Sequence, residues 1–551
     1  MNLRRLQSLG PDPVTSRPAT AWRGVLAGLL GLACLLHPAR GGSPRTDDPD
    51  PSAIAPVESS VIIRMDAARG DDVRWRGVVV DLIGMSVPDA EAGWARTSEI
   101  LERLEIDAAE RIHAIDRTGS QWLHAARWRD AGGLESGLRG AAARSLGFGR
   151  FRFPEHRIDL AIAGDWVLLA PTGSPWLDDA SERARIIGSN PRGGAPDGPG
   201  AIRIRMRHET PTGGTTRLRL TPLGPTEATI EIDGRYDASP LPTRIPGQVD
   251  ARLIPSLRGR VAVAMLESGI GVLDPMLIRL AAEMPGLMPP PELRRSLAAR
   301  RLVVLDGETV RVPRIGLIEV PAVCIAVPFR AEAAPRRSQP PIDAMIHDWM
   351  LGSGRVLAMR SNRATDDAPA APVEVRIARD EIRHVDLGDA FAESFGRHPA
   401  SVAASLNWAI HRVEAPGSDA VTDPRTWLVV GSSPGIVRRV AGAIEGANFE
   451  MLEEGDLVCS QGVASPARLG LQVEDLAGLR AGASDAEAAP DAAILARLSS
   501  ILGRFERVEW STAVQSDDAV RASVRVTMAP EASEDRISDR PDGAGDGRRD
   551  P

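Results

Sequence analysis

Three short stretches of this chain alternate, residue by residue, between apolar and charged side chains. That pattern restricts the backbone more than any other feature of the sequence. Ile202, Ile204 and Met206 interleave with Arg203, Arg205 and Arg207; Leu218 and Leu220 with Arg217 and Arg219; Ile230 and Ile232 with Glu227, Glu231 and Asp233. Successive side chains of a β-strand point to opposite faces, so each apolar set covers a core and each charged set faces away from it. The spacing predicts a three-stranded meander within 201–240 in which an arginine strand lies beside an acidic one. Opposite charges across such strands contribute roughly 0.2–1 kcal/mol per pair. The charged face reads either as a solvated, internally paired surface or as an arginine-lined surface for a polyanion or an acidic envelope component.

The chain has 551 residues, which allows roughly three domains. With 43% hydrophobic and 25% charged residues it has the composition of a chain that buries cores. Its net charge of −8 argues against a general nucleic-acid binder. It contains no lysine, so all 66 basic residues are arginine. This excludes the usual P-loop, protein-kinase and Schiff-base chemistries, each of which needs a lysine amine.

The first 23 residues carry Arg4, Arg5, Arg17 and Arg23 against Asp12, and Gly24 to Leu36 then run without a charge. A bilayer core needs about 20 apolar residues, so this shorter run fits the apolar centre of a signal peptide, and Ala39-Arg40-Gly41 fits a cleavage site. No later stretch is long and apolar enough to span a membrane. The organisation expected is a signal peptide over 1–41, a linker over 42–57, an α+β module over 58–185, a linker over 186–200, the β-meander over 201–240, an α+β segment over 241–330, a linker over 331–341, a second α+β module over 342–529 and a disordered tail over 530–551. Periplasmic or extracellular placement follows from the signal peptide. Cys34 lies inside that peptide, and Cys324 and Cys459 in apolar runs read as separate buried thiols. No CxxC occurs, which excludes a zinc ribbon or a thioredoxin-like site.

Residues 96–115 place Ile100, Leu104, Ala108 and Ile112 at four-residue spacing and predict an amphipathic helix. Residues 157–170 predict two strands joined at Ala163-Gly164-Asp165. Ser174-Pro175 then offers an N-cap followed by proline at the first helical position. The phrase recurs: LNWAIHRVE (406–414) and WLVV (427–430) read as strands, and Ser433-Pro434 opens a second helix. Trp166…Ser174-Pro175 thus echoes Trp427…Ser433-Pro434. The fold class expected is α+β, with two related antiparallel-sheet-plus-helix modules, a duplication, flanking the β-rich meander. The pattern of 157–183 and 406–446 resembles uncharacterised secreted bacterial families whose strand–hairpin–strand–SerPro–helix units follow a signal peptide. The resemblance implies export and architecture and carries no catalytic residue. The second copy departs from it in a long APGSDAVTDPRT loop.

Gly431-Ser432-Ser433-Pro434-Gly435 matches G-x-S-x-G between a strand and a helix. A nucleophile elbow uses the N–H of the residue after its serine, and Pro434 has none. No histidine follows Ser433, so the sequence reads as an N-cap. His384 and Asp386 share one face of a strand, while His347, His398 and His411 show no metal-ligand spacing. Gly269-Ile270-Gly271 lacks the third glycine of a dinucleotide fingerprint. The tryptophans, Trp75, Trp94, Trp122, Trp128, Trp166, Trp176 and Trp427 among them, read as core. No catalytic, cofactor-binding or metal-binding residue is therefore assigned, and no cofactor is expected. The function expected is a non-catalytic structural, binding or assembly component of the cell envelope. The rival is an extracytoplasmic hydrolase using carboxylates or a His384/Asp386 metal site, and a third reading is a carrier of an apolar ligand.

Overall fold

A computed structural model describes residues 54–66, 73–86, 88–106, 108–116, 118–128, 137–138, 143–188, 202–207, 215–235, 254, 257, 261–268, 285–298, 300–312, 316–330, 340–362, 375–377, 382–387, 405–413, 425–446, 458–470, 496–497, 499–516 and 519–529. The signal peptide, Cys34, the glycines at 269–271, His398, most of the linkers and the tail lie outside the described residues.

The first ten strands are β1 (Val61–Asp66), β2 (Ala108–Ile115), β3 (Trp122–Trp128), β4 (Arg144–Gly147), β5 (Arg150–Phe153), β6 (Ile158–Ala163), β7 (Trp166–Pro171), β8 (Ile202–Arg207), β9 (Thr215–Pro222) and β10 (Glu227–Arg235). The next ten are β11 (Val263–Ser268), β12 (Arg300–Val312), β13 (Gly316–Pro328), β14 (Val375–Ile377), β15 (Arg383–Asp386), β16 (Ser405–Val413), β17 (Arg425–Gly431), β18 (Val458–Ala464), β19 (Phe505–Ser516) and β20 (Ala519–Met528). Helices α1 (Val73–Ser86) and α2 (Pro88–Arg103) follow β1, and α3 (Trp176–Gly188) follows β7. Helices α4 (Pro291–Ser296), α5 (Pro340–Asn362) and α6 (Pro434–Gly446) belong to the second set.

The 20 strands among the described residues form one antiparallel sheet. Its order from edge to edge is β4-β5-β6-β7-β3-β2-β1-β8-β9-β10-β20-β19-β18-β11-β12-β13-β17-β16-β15-β14. Read outward from the β10–β20 junction, both directions give the same order, with each strand of the first ten matched by the strand ten places later. The register repeats as well. Trp166 lies between Arg127 and Ala163, and Trp427 lies between Pro328 and His411 at the equivalent rung. Asp159 of β6 and Asn407 of β16 likewise occupy matching positions. At the junction Ile232 corresponds to Val524, and the pairings Ile230↔Val524 and Ile232↔Ala522 are each other's image about Glu231↔Ser523. Such reciprocity is the mark of a two-fold contact.

The expected α+β class holds only in its coarse form, because strands predominate over helices among the described residues. Residues 96–115 are the clearest correction: α2 stops at Arg103 and Ala108 and Ile112 belong to β2. Glu105 sits at φ 53, the Ile106 N–H bonds the Leu101 carbonyl, and the Glu105 N–H bonds that of Glu102. This is the Schellman arrangement that closes a helix, here with glutamate in the left-handed position usually held by glycine. The four-residue spacing carried through a turn that the apolar pattern does not register. Of the other expectations, the hairpin β6–β7, the meander β8–β9–β10 and the helices after Ser174-Pro175 and Ser433-Pro434 are all present.

The two halves also bury equivalent cores on the same face of the sheet. In the first, Ile112, Ala114, Leu123, Ala125, Trp166 and Leu168 pack under Trp176, Leu177, Ala180 and Ala184 of α3. In the second, Leu302, Val304, Cys324, Ala326, Trp427 and Val429 pack under Ile436, Val437, Val440 and Ile444 of α6. The opposite face of the first half packs against α1 and α2 through Ile63, Met65, Trp75, Val78 and Ile115. Trp75, Trp166 and Trp427 are fully or nearly fully buried, as core tryptophans should be.

Candidate functional site

Between the α3-covered and α6-covered cores, the same face of the sheet changes character. The apolar residues of β8, β9 and β10 turn to the other side, where Ile202, Leu220 and Ala228 join the core beneath α1. Their charged partners therefore share the face of α3 and α6. Register places Arg64 of β1 opposite Arg203 of β8, Arg203 opposite Arg219 of β9, and Arg205 opposite Arg217. Arg207 continues β8. Adjacent strands are about 4.8 Å apart and same-face residues along a strand about 6.7 Å apart, so the guanidinium stems rise from a regular lattice. Like charges directly opposite one another destabilise a sheet by some tenths of a kcal/mol each.

Part of this charge is answered within the fold. Arg64 meets Glu110 at 2.5 Å. Arg217 and Arg219 lie opposite Asp233 and Glu231 of β10, as the sequence predicts for an arginine strand beside an acidic one. Asp233 also meets Arg521 at 3.1 Å, and Glu227 meets Arg525 at 3.2 Å. Arg207 donates to the Val57 carbonyl at 3.0 Å. Arg205, Arg207 and Arg217 are exposed. Guanidinium is planar, permanently charged and forked, which suits bidentate contact with carboxylate, phosphate or sulfate oxygens. A run of such forks on a fixed lattice can therefore contact a repeating anion at several points at once. A cavity of about 280 Å³ opens beside the junction, lined by Thr229, Gln461, Glu509, Ser511, Ser523 and Arg525 among others.

The residues weighed and set aside as catalytic or metal candidates do not converge on one site among the described residues. Ser433 caps α6, its Oγ accepting the Ile436 N–H at 3.3 Å, and Ser174 caps α3 in the same way through the Trp176 N–H at 3.3 Å. His384 and Asp386 lie on β15 opposite Asn407 and Ser405. At the matching rung of the first half, Arg152 makes a two-pronged contact with Asp159 at 2.7 and 2.9 Å. His411 is in β16 beside Trp427, with its pKa lowered by burial. His347 contacts the Trp408 ring edge-on. No cluster of three or more His, Cys, Asp or Glu side chains suited to a metal occurs among the described residues. Cys324 is buried and free, and burial pushes its thiol pKa up.

Two polar clusters escaped the sequence reading. Asp306 of β12 is completely buried beneath α6, 3.2 Å from Arg439 and 3.1 Å from Arg468, and accepts the Ala262 N–H at 3.2 Å. Glu308, two residues on, approaches Gly435 at the start of α6, and burial raises its pKa despite Arg439 and Arg438. The second cluster is His113 and His124, buried between β2, β3 and α2. His113 falls in the stretch read as a helix, the contact with His124 is made across strands, and no local spacing announces it.

No protein-family model and no curated protein matches the chain. Among solved structures, crystal forms IV and I of TP0453 are similar at TM-scores of 0.23 and 0.24, with 11% and 12% identity, over 34% and 35% of this chain and 80% and 81% of theirs. Similarity at that level supports no argument about the fold or the function. No helix among the described residues is long and apolar enough to cross a membrane.

Proposed function

We propose that this chain is an exported, non-catalytic binding component of the cell envelope, and that its arginine ladder docks an acidic envelope polymer. We propose further that it arose by duplication of a ten-strand module. The observation that carries the binding reading is the register that sets Arg64 against Arg203, Arg203 against Arg219 and Arg205 against Arg217. Stability alone favours opposite charges at those positions, so like charges kept at three rungs of one face, beside the acidic residues that answer part of them, suit a surface that meets a polyanion. Support for duplication comes from the repeated strand order, the repeated register and the two serine-capped helices. Support for export comes from the charged, then apolar, then small-residue order of the first 41 residues.

The binding reading is tested with heparin as a soluble polyanion probe, by titration calorimetry on the mature chain at low and high salt. Wild type should bind at low salt and weaken steeply as salt rises, because exposed charges more than about 10 Å apart are screened at about 0.1 M. Arg205→Ala/Arg217→Ala, which alters exposed side chains, should lose at least tenfold in affinity with an unchanged fold. Equal binding by the variant, or none by wild type at low salt, would refute the ladder. Intact mass from an exporting host tests the address: loss of about 40 residues agrees with it, and a retained Met1 contradicts it.

A further inference from the structure

The repeat provides an internal control for one buried cluster. His113 and His124 are cross-strand neighbours on β2 and β3. The equivalent rung of β12 and β13 carries Val303 opposite Ile325. A sheet of this design therefore packs that rung with hydrocarbon, and the histidines answer to something other than the fold. Their surroundings are specific. The Trp94 ring of α2 stacks on His113 with centroids 3.3 Å apart and 7° between planes, and the two imidazoles are 3.8 Å apart. Thr97 of α2 donates its hydroxyl hydrogen to the Trp94 carbonyl at 2.8 Å, and its oxygen lies 2.9 Å from His124 Nδ1. With that hydrogen committed, His124 must donate from Nδ1, which fixes the neutral tautomer with a bare lone pair on Nε2. The Nε2 atoms of both histidines are buried with no hydrogen-bond partner among the described residues.

We propose that His113 and His124 form an acid-released latch that holds α2 on the sheet while both rings are neutral and frees it when they take up protons. The charges that bear on the pair are each other's and that of Arg111 on β2. The other groups packed on it or paired with it carry no charge: Trp94 and Thr97 from α2, Ile63 from β1 and Leu169 from β7. The charged side chains of α2 nearest these residues look elsewhere, Arg96 to the His156 carbonyl and Glu99 to Arg103. A first proton on either ring thus meets burial and the positive Arg111, a second meets the first as well, and no carboxylate among the described residues bears on the pair.

Burial and the neighbouring Arg111 lower the His124 pKa to about 3, and burial, His124 and Arg111 lower that of His113. A histidine whose folded pKa is depressed stabilises the closed state fully above its open-state value, and that stabilisation is lost as pH falls through it. With an open-state value of about 6.5 and a closed-state value of about 3, His124 alone raises the opening constant about thirtyfold at pH 5 relative to pH 7.5. His113 adds to this in the same direction. Opening bares the apolar face of α2, where Ile100 and Leu101 share a buried core with Leu160 and Val167. This latch is independent of the arginine ladder, which lies on the opposite face of the sheet.

The test is hydrogen exchange followed by mass spectrometry on the mature chain, at about pH 7.5 and about pH 5, corrected for the intrinsic rate. Protection of the 88–103 segment should fall at least thirtyfold at the lower pH, while β12 and β13, with Val303 and Ile325 at the matching rung, keep theirs. His113→Val/His124→Ile should hold α2 protection constant between the two conditions. Unchanged α2 protection in wild type, or an equal loss in α2 and in β12–β13, would overturn the proposal without any variant. An equal loss in the double variant would overturn it too.

Discussion

The matching rungs of the two halves include one where volume has been moved from one strand to its neighbour. In the first half Ile204 of β8 lies opposite Leu218 of β9. In the second, Gly462 of β18 lies opposite Trp510 of β19. Trp510 is 5% exposed and packs on Met265, Val303 and Ala464. A Cβ at Gly462 would sit 2.1 Å from the Trp510 ring. Gly462→Ile must therefore displace the indole and should cost about 3 kcal/mol or more. Trp510→Leu empties part of the indole's site and should cost about 2–3 kcal/mol in lost burial and residual cavity. The double variant Gly462→Ile/Trp510→Leu rebuilds the rung of the first half. It should recover most of both losses, giving a coupling of about 4–5 kcal/mol, close to the sum of the two single costs. Urea unfolding of all four proteins, followed by circular dichroism, reads this as a double-variant midpoint close to wild type. A double variant as unstable as the sum of the singles would refute the rung-by-rung equivalence of the halves.

Three further outcomes follow from the same contacts. Ser174→Ala and Ser433→Ala should each lower stability by about 1 kcal/mol, read as a shift in urea midpoint, because each serine oxygen satisfies one N–H at a helix start. Asp306→Ala should cost about 2–3 kcal/mol, since it strips a buried carboxylate from Arg439, Arg468 and the Ala262 N–H, and Asp306→Asn, which still serves the amide, should cost less. Cys324 should resist iodoacetamide in the native chain and react only in denaturant, because it is buried and its thiol pKa is raised; peptide masses after labelling, which separate Cys324 from Cys459, settle this.

What could be read in the sequence was what local spacing encodes. The period-two alternation of residues 202–233 reported the meander, its faces and the pairing of arginine with acid, since a strand's two sides are written directly in its residues. The echo of Trp166 and Ser174-Pro175 in Trp427 and Ser433-Pro434 marked equivalent places in the two halves. Local spacing also misled: Ala108 and Ile112 fit a helix, but the left-handed turn at Glu105 ends it, and glutamate gives no warning of that. The opposition of Arg64 to Arg203, the contact of His113 with His124 and the burial of Asp306 beneath α6 join residues from separate strands or helices. Each depends on how the strands are ordered, and no single stretch of sequence carries that information.

The ladder itself is best tested by footprinting. Because the chain has no lysine, phenylglyoxal labels its cationic surface through arginine alone. Labelling the mature protein with and without heparin, followed by peptide mass spectrometry, ranks every accessible arginine by the protection it gains. The account predicts that Arg205, Arg207 and Arg217 are protected most and that Arg103 and Arg294, on the helices, are unaffected. Protection spread evenly over all arginines, or concentrated away from β8 and β9, would contradict it.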